Sequence, residues 1–230
     1  MAMYGSKVFQ DWIYREIGDS LNSFYHYMML VAVFIVCLVM YFLFRINTSY
    51  FKYRSLKHRE VLEWIWTIVP MVILAVLWVP SVRNLYLMNH IGEPKWSFKA
   101  VGHQWYWTYE FTNKKYDQVV LESYMDNLDS DEFKYRLLDV DQRMVAPVNT
   151  QMRVLVSSVD VLHSFALPSC MLKIDAIPGR MTQTPLLIDK SGVCYGQCSE
   201  LCGVNHSFMP IVVEFIPMDV FLKWLDVTGD

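Results

Sequence analysis

Two long stretches without a charged residue constrain this chain more than any other feature. Phe24 to Phe44 is 21 residues with no Asp, Glu, Lys or Arg, and Trp64 to Val82 is another 19. A bilayer core about 30 Å thick is crossed by roughly 20 apolar residues in a helix rising 1.5 Å per residue. Both stretches are long enough, and neither shows the polar face that a helix of a soluble domain keeps towards water. Pro70 and Pro80 interrupt the second. They would break a soluble helix, but a membrane helix re-satisfies the freed carbonyls from its neighbours, so they read as kinks. The expectation is a transmembrane hairpin over 24–89 in a lipid bilayer, preceded by a segment 1–23 on the outer side.

The turn of that hairpin fixes its direction. Arg45, Lys52, Arg54, Lys57 and Arg59 lie in the connection 45–59 with no acidic residue among them. By the positive-inside rule this loop faces the cytoplasm or matrix, and both termini face the other side. Residues before Phe24 mix Lys7 and Arg15 with Asp11, Glu16 and Asp19, and no small-residue cleavage site follows the apolar run. The first span is therefore expected to stay rather than to be removed as a leader.

Charge separates the chain into two parts. Met1 to Asn89 carries 8 Lys and Arg against 5 Asp and Glu, whereas His90 to Asp230 carries 12 against 18. An acidic domain on a basic anchor is a poor nucleic-acid binder. It suits a basic protein partner, because opposite charge speeds encounter. Glu110, Glu122, Asp141 and Asp160 are candidate contacts, with Lys114 and Lys115 diluting the patch.

After Arg83 the texture becomes short runs of β-branched and aromatic residues broken by Gly, Pro, Asn and Asp. Trp96–Val101, Gln104–Phe111, Tyr135–Val140, Met152–Val159, Thr184–Ile188 and Pro210–Ile216 read as strands, and Asp219–Val227 as a closing helix. Tyr116–Phe133 reads as an acidic loop with room for one short strand. About 140 residues of this texture make a β-sandwich or barrel over 90–230.

Five cysteines occur. Cys37 lies inside the first span, where packing is its expected role, and Cys170 reads as structural. Cys198 and Cys202 stand four residues apart, with His206 and Met209 close behind and His163 upstream. Two thiols, imidazoles and a thioether form a soft donor set. A Cys198–Cys202 disulfide would close a loop too small to stabilise much and would leave His206 and Met209 without a role. Zinc would accept two Cys and two His but has little use for a thioether. Copper uses all of these donors, and two thiolates on one bend can each bridge two ions.

The quoted motifs carry a resemblance. Gly-His-Gln-Trp-Tyr-Trp at 102–107, Asp-Val-Leu-His-Ser at 160–164 and Gly-Gln-Cys-Ser-Glu-Leu-Cys-Gly-Val-Asn-His-Ser-Phe-Met-Pro at 196–210 are similar to those of subunit II of the haem-copper cytochrome c oxidases, mitochondrial type. The resemblance implies a two-helix anchor and an all-β, cupredoxin-like, Greek-key domain holding two copper ions. It implies Cys198 and Cys202 as bridging thiolates, His163 and His206 as imidazole ligands, Met209 as a weak sulfur ligand and Glu200 as a carbonyl ligand. The carboxylate of Glu200 would reach a magnesium ion shared with subunit I. Trp105 would be where electrons arrive from bound cytochrome c, and Glu63 the entrance of a proton channel completed by subunit I. Without the resemblance Glu63 is equally an interfacial charge ending a helix, and His103 a hydrogen-bonding histidine rather than a ligand. The implied location is the mitochondrial inner membrane, with the copper domain in the intermembrane space. The implied work is transfer of single electrons to haem in subunit I for oxygen reduction coupled to proton pumping. Cys194 departs from the family pattern, which has an aromatic or aliphatic residue there, and is expected to be inert core.

Overall fold

The computed structural model describes residues 15–50, 59–111, 119–126 and 135–228. The predicted inner loop lies mostly outside these residues, including Lys52, Arg54 and Lys57; so do Lys114 and Lys115. The chain separates into a helical unit, Asp19–Leu87, and a β unit that contains everything described from Met88 onward.

Each charge-free stretch forms a helix that runs beyond it at both ends: α1 (Arg15–Thr48) and α2 (Glu60–Asn89). Their most apolar windows have mean hydropathies of 2.7 and 2.2, and no residue of either window is buried within the protein. Leu30, Phe34, Phe44, Trp64, Leu74 and Trp78 each expose more than half of their surface. Apolar patches of this extent need a covering medium, and lipid is the one that tolerates a helix with all its backbone bonds made internally. Ser20 Oγ donates to Asn84 Oδ1 at 2.6 Å, a polar link between the helices of the kind that orients membrane pairs. Pro70 and Pro80 both lie inside α2, which continues through them.

The β unit contains β1 (Trp96–His103), β2 (Tyr106–Phe111), β3 (Val119–Ser123), β4 (Met144–Pro147), β5 (Met152–Ser158), β6 (His163–Leu167), β7 (Leu172–Ala176), β8 (Thr182–Leu186), β9 (Gly192–Gln197), β10 (Pro210–Ile216) and α3 (Met218–Thr228). Among the described residues they form sheets ordered β3-β2-β1-β5-β8, β4-β10-β9 and β6-β7. The pairs β1/β5 and β4/β10 are parallel and the others antiparallel, so the chain crosses between sheets instead of meandering. Alternation drives the large sheet: Met152, Val154, Val156 and Ser158 of β5 point inward while the residues between them are half-exposed. β6 is different, because all five of its residues are buried. It packs against β1 on one side and β9 on the other.

That difference explains part of what the sequence reading missed. β4, β6, β7 and β9 escaped it; β4 and β6, buried at every position, show no period of two, whereas β7 and β9 alternate but are short. The predicted strand at Tyr135–Val140 is instead a turn. The Asp139 carboxylate accepts from the Tyr135 amide at 2.6 Å, Leu138 and Asp139 amides return to the Tyr135 carbonyl, and Leu137 takes φ 63°. An acidic side chain bonding to nearby backbone offers the chain an alternative to a ladder, which overrides its β-forming neighbours. The strand expected from Gln104 begins only at Tyr106, since residues 104–105 turn between β1 and β2.

The closing helix α3 seals the sandwich. Phe221, fully buried, meets Trp96 edge-on with ring centroids 5.2 Å apart, and Trp224 meets Phe111 at 5.6 Å. Phe221→Ala is expected to destabilise the β domain by about 3–5 kcal/mol, the range for losing a buried aromatic. Denaturant unfolding followed by tryptophan fluorescence measures it; a loss under about 1 kcal/mol would mean that α3 merely decorates the sandwich.

Candidate metal centre

Two chain segments meet at the candidate site. β6 opens on His163, and β9 runs directly into a loop, 198–209, that carries Cys198, Cys202, His206 and Met209 before β10 begins. The loop is pinned at its start by Ser199 N–H on the Ser164 carbonyl at 3.1 Å. It reverses at Gly203, whose φ of +121° favours glycine, and tightens through His206 N–H to the Gly203 carbonyl and Phe208 N–H to the Asn205 carbonyl. Two close approaches let the segments touch. A Cβ on Gly196 would stand on the Ala166 carbonyl, and one on Gly102 would lie 2.9 Å from Cδ2 of His163. Any side chain at either position would push β9 or His163 out of place.

All six predicted donors converge there. Cys198 Sγ and Cys202 Sγ are 3.9 Å apart. His163 Nδ1 is 3.8 Å from Cys198 Sγ, and His206 Nδ1 is 3.5 Å from Cys202 Sγ. Met209 Sδ is 3.5 Å from Cys202 Sγ, and the Glu200 carbonyl oxygen is 3.3 Å from Cys198 Sγ. The donor atoms of His163, Cys198 and Cys202 all fall within 4.8 Å of one another. His163, Cys198, Cys202 and Met209 are buried, with His206 partly open. The donor set fits soft metal ions: two thiols able to bridge, an imidazole facing each, a thioether and a carbonyl flanking them.

The surroundings fix these donors. Nε2 of His163 is held by Asp160 Oδ1 at 2.9 Å, which turns Nδ1 towards the sulfurs. Asp160 also accepts from the amides of Gln104 at 2.7 Å and Val161 at 2.6 Å. Trp107, fully buried, sits edge-on to His163 at 6.0 Å and donates its indole N–H to the Met209 carbonyl. Burial raises the Cys198 thiol, but hydrogen bonds with His163 and with the backbone at Glu200 and Ser164 outweigh it and bring it down to about 7. Burial and the neighbouring charge of Cys198 push Cys202 up to about 12. One proton therefore leaves the pair near neutrality, and the second stays until a cation offsets the added charge.

The remaining predicted residues are distributed differently. Trp105, half-buried, donates Nε1–H to the Cys202 carbonyl at 3.3 Å, and Gln104 Nε2 donates to the same oxygen at 2.8 Å. Glu200 turns its carbonyl to Cys198 while its side chain stays exposed. Glu63 lies in the first turn of α2, in the helical unit, with Glu60. Of the acidic candidates, Glu110 pairs with Lys99 at 3.0 Å, Glu122 accepts from Tyr124 and Asp141 caps the amides of Tyr124 and Gln142. Asp160 is bound to His163, a role that its position three residues upstream could have suggested. His103 stacks on Tyr106 at 4.5 Å. Trp107, Gly102 and Gly196 were missed as site-forming residues; they act through packing, which leaves no signal in spacing.

Fold and site together define a membrane-anchored cupredoxin-like protein with a soft-ligand cluster at one end of its sandwich. Family models agree: residues 96–216 match "Cytochrome C oxidase subunit II, periplasmic domain" and residues 9–83 match "Cytochrome C oxidase subunit II, transmembrane domain". Cytochrome c oxidase subunit 2 of Mytilus edulis is 47% identical over 98% of this chain and 99% of its own length. That of Aedes aegypti is 47% identical over 90% of each. The crystal structure of the periplasmic domain of subunit II (CoxB) of Bradyrhizobium japonicum superposes with a TM-score of 0.55 at 42% identity, covering 60% of this chain and 96% of that one. A subunit II domain captured in a mixed disulfide with a thioredoxin-like protein gives 0.53 at 38%, covering 61% and 95%. The chain belongs to the cytochrome c oxidase subunit II family, and so is a membrane subunit of an oxidoreductase complex.

The Asp160–His163 link predicts a pH signature in the metal-free chain. Burial opposes protonation of His163, but its bonds with Cys198 and Asp160 prevail and raise its pKa; burial opposes ionisation of Asp160, but its bonds from His163, Val161 and Gln104 prevail and lower it. The His163 contribution is complete below the ordinary imidazole value of 6.5 and fades as pH rises through the raised folded value. The Asp160 contribution is present above the ordinary 3.8 and fades as pH falls through the lowered folded value. The stability that the link contributes is therefore greatest between those two ordinary values. The thermal midpoint of the metal-free parent should exceed that of Asp160→Asn most in that window and less on either side of it, and a difference that does not vary with pH would remove the link from the energetics.

Proposed function

We propose that this chain is the electron-accepting subunit of its oxidase, taking single electrons from cytochrome c and passing them towards haem in subunit I, where oxygen is reduced with coupled proton pumping. The observation that carries this is the convergence of two thiols, two imidazoles, a thioether and a carbonyl on adjoining loops. Cys198 and Cys202 would hold two copper ions through their thiolates, with the imidazoles of His163 and His206, the thioether of Met209 and the Glu200 carbonyl completing the donor set. A copper pair so held supplies one-electron redox chemistry with its charge spread over both ions.

The protein's own residues supply the conditions for that transfer. Burial of His163, Cys198, Cys202 and Met209 keeps water from the donors, which limits solvent rearrangement. Asp160 fixes the His163 ring, and Trp107 braces it from below. Trp105 is proposed as the point where electrons arrive, because its indole is hydrogen-bonded to the carbonyl of a thiol ligand and remains partly exposed. The exposed carboxylate of Glu200 is proposed to reach a magnesium ion shared with subunit I. Glu63 is proposed as a proton entrance; its place in the first turn of α2, where a carboxylate is favoured by the helix dipole, equally suits a helix-ending charge. The basic connection between the helices supports an inner-side loop and an intermembrane-space β domain in the mitochondrial inner membrane.

Metal analysis of the purified chain should find two coppers, and the oxidised state should show one unpaired electron shared by both in paramagnetic resonance. Cys198→Ser or Cys202→Ser should abolish sharing, whereas a single-copper pattern in the parent, or zinc at full occupancy after copper loading, would overturn the reading. Trp105→Phe should slow reduction by cytochrome c at least tenfold in stopped-flow while leaving the bound fraction nearly unchanged, a barrier change of about 1.4 kcal/mol. Equal rates would take Trp105 out of the path.

A further inference from the structure

The centre uses two of the five cysteines, and α1 carries a third. The remaining two, Cys170 and Cys194, are neighbours. Their sulfurs lie 3.5 Å apart, in van der Waals contact, although 24 positions separate them in the chain. They are 6% and 2% exposed and stand in the hydrophobic core of the β domain. Cys170 ends the short 3₁₀ turn Pro168–Cys170 that follows β6, and Cys194 lies in the middle of β9. Those are the two strands that deliver the donors: β6 opens on His163, and β9 leads to Cys198.

We propose that Cys170 and Cys194 form a disulfide in the mature protein, stapling the far end of β6 to β9 behind the metal centre. The proposal rests on the outer-side placement of the β domain given above, because disulfides persist in oxidising compartments. Bringing the sulfurs from contact to the bonded distance of about 2.05 Å requires a shift of roughly 1.5 Å, within reach of small side-chain rotations on two packed segments.

The oxidant is a small-molecule disulfide, acting by exchange. Cys170 lines a small surface cleft with Met171, Leu172, Thr184 and Leu186, the side on which this pair comes nearest to the surface and from which the oxidant would approach. The Cys170 thiol, which its hydrogen bond with Cys194 and its burial hold above the ordinary value, gives up its proton as it attacks one sulfur of the oxidant, whose other half leaves as a thiol. The Cys194 thiolate then attacks the mixed disulfide at the Cys170 sulfur and releases the second half. Two S–H bonds of the protein become one S–S bond, the S–S bond of the oxidant becomes two S–H bonds, and two electrons and two protons pass to the oxidant.

Such a bond serves the site in two ways. It closes a long loop, which restricts the unfolded chain more than a bond between Cys198 and Cys202 would. It also removes both surplus thiols from competition, so that Cys198 and Cys202 are left as the free thiol pair of the β domain.

The test uses the purified oxidase complex. The complex is denatured in excess alkylating agent with a cuprous chelator and no reductant, then digested and analysed by mass spectrometry. Cleavage after Arg153 and Lys173 isolates Cys170, and cleavage after Tyr195 separates Cys194 from Cys198. The expected product is a Cys170–Cys194 cross-linked peptide pair that reductant dissolves, with Cys198 and Cys202 alkylated. Alkylation of both Cys170 and Cys194 in the unreduced sample overturns the disulfide. Protease sidedness in sealed vesicles then tells whether the membrane placement failed with it, and copper content of the same preparation reports on the metal reading separately. Cys170→Ala and Cys194→Ala should each lower the thermal midpoint of the full-length chain by about 10 °C, and the double variant by no more than either. An additive loss would mean that the two thiols only pack, and would overturn the bond.

Discussion

The contact between β6 and β9 is the constraint on which the rest of this molecule depends. Donors spaced over 163–209 in sequence can share one pocket only if the two strands that deliver them come closer than ordinary side chains allow. Gly196 permits this by leaving room for the Ala166 carbonyl, and Gly102, on β1, leaves room for the His163 ring. The cost of such closeness is a strand with no solvent face. All five residues of β6 are buried, so its polar members must find partners inside. Ser164 does so through the Ile174 and Ser199 backbones, and His163 through Asp160.

Burial then sets the chemistry. In a wet loop, Cys198 and Cys202 would titrate alike and hold no fixed distance. Here one thiol is drawn towards ionisation and its neighbour is pushed away from it, because the pocket stabilises a first negative charge through hydrogen bonds and has nothing to offset a second. That imbalance is what makes the pair a cation site. The aromatic floor contributes rigidity: Trp107 joins His163 and Phe165 edge-on and anchors Met209 through its carbonyl, so donors from both segments rest on one buried side chain.

The helical unit obeys a separate physics. Its side chains are not sorted into inside and outside, as the exposure of Leu30, Phe44, Leu74 and Trp78 shows. Lipid supplies the environment that a protein core supplies elsewhere, so length and absence of charge matter more than periodicity. The polar link between the helices from Ser20 to Asn84 lies near one end of each helix, beyond the charge-free runs.

The membrane helices were legible from residue types alone, because crossing a bilayer is a demand on composition and length. So were β5, whose period of two survives with one face buried, β1 and β10, whose β-branched and aromatic runs mark strands even where several successive residues are buried, and the loop 198–209, whose donors lie close in sequence. Only the tertiary structure decided the rest. β6, enclosed on every side, lost the alternation that marks a strand, and Tyr135–Val140 was captured as a turn by the carboxylate of Asp139. Asp160 looked like surface charge until the fold set it against His163, and Trp107 looked like one more core aromatic. Cys170 and Cys194 looked unrelated until two strands brought their sulfurs into contact. Sequence reports what a residue can do to its near neighbours along the chain; which distant residue it meets is settled by packing, where each contact depends on all the others.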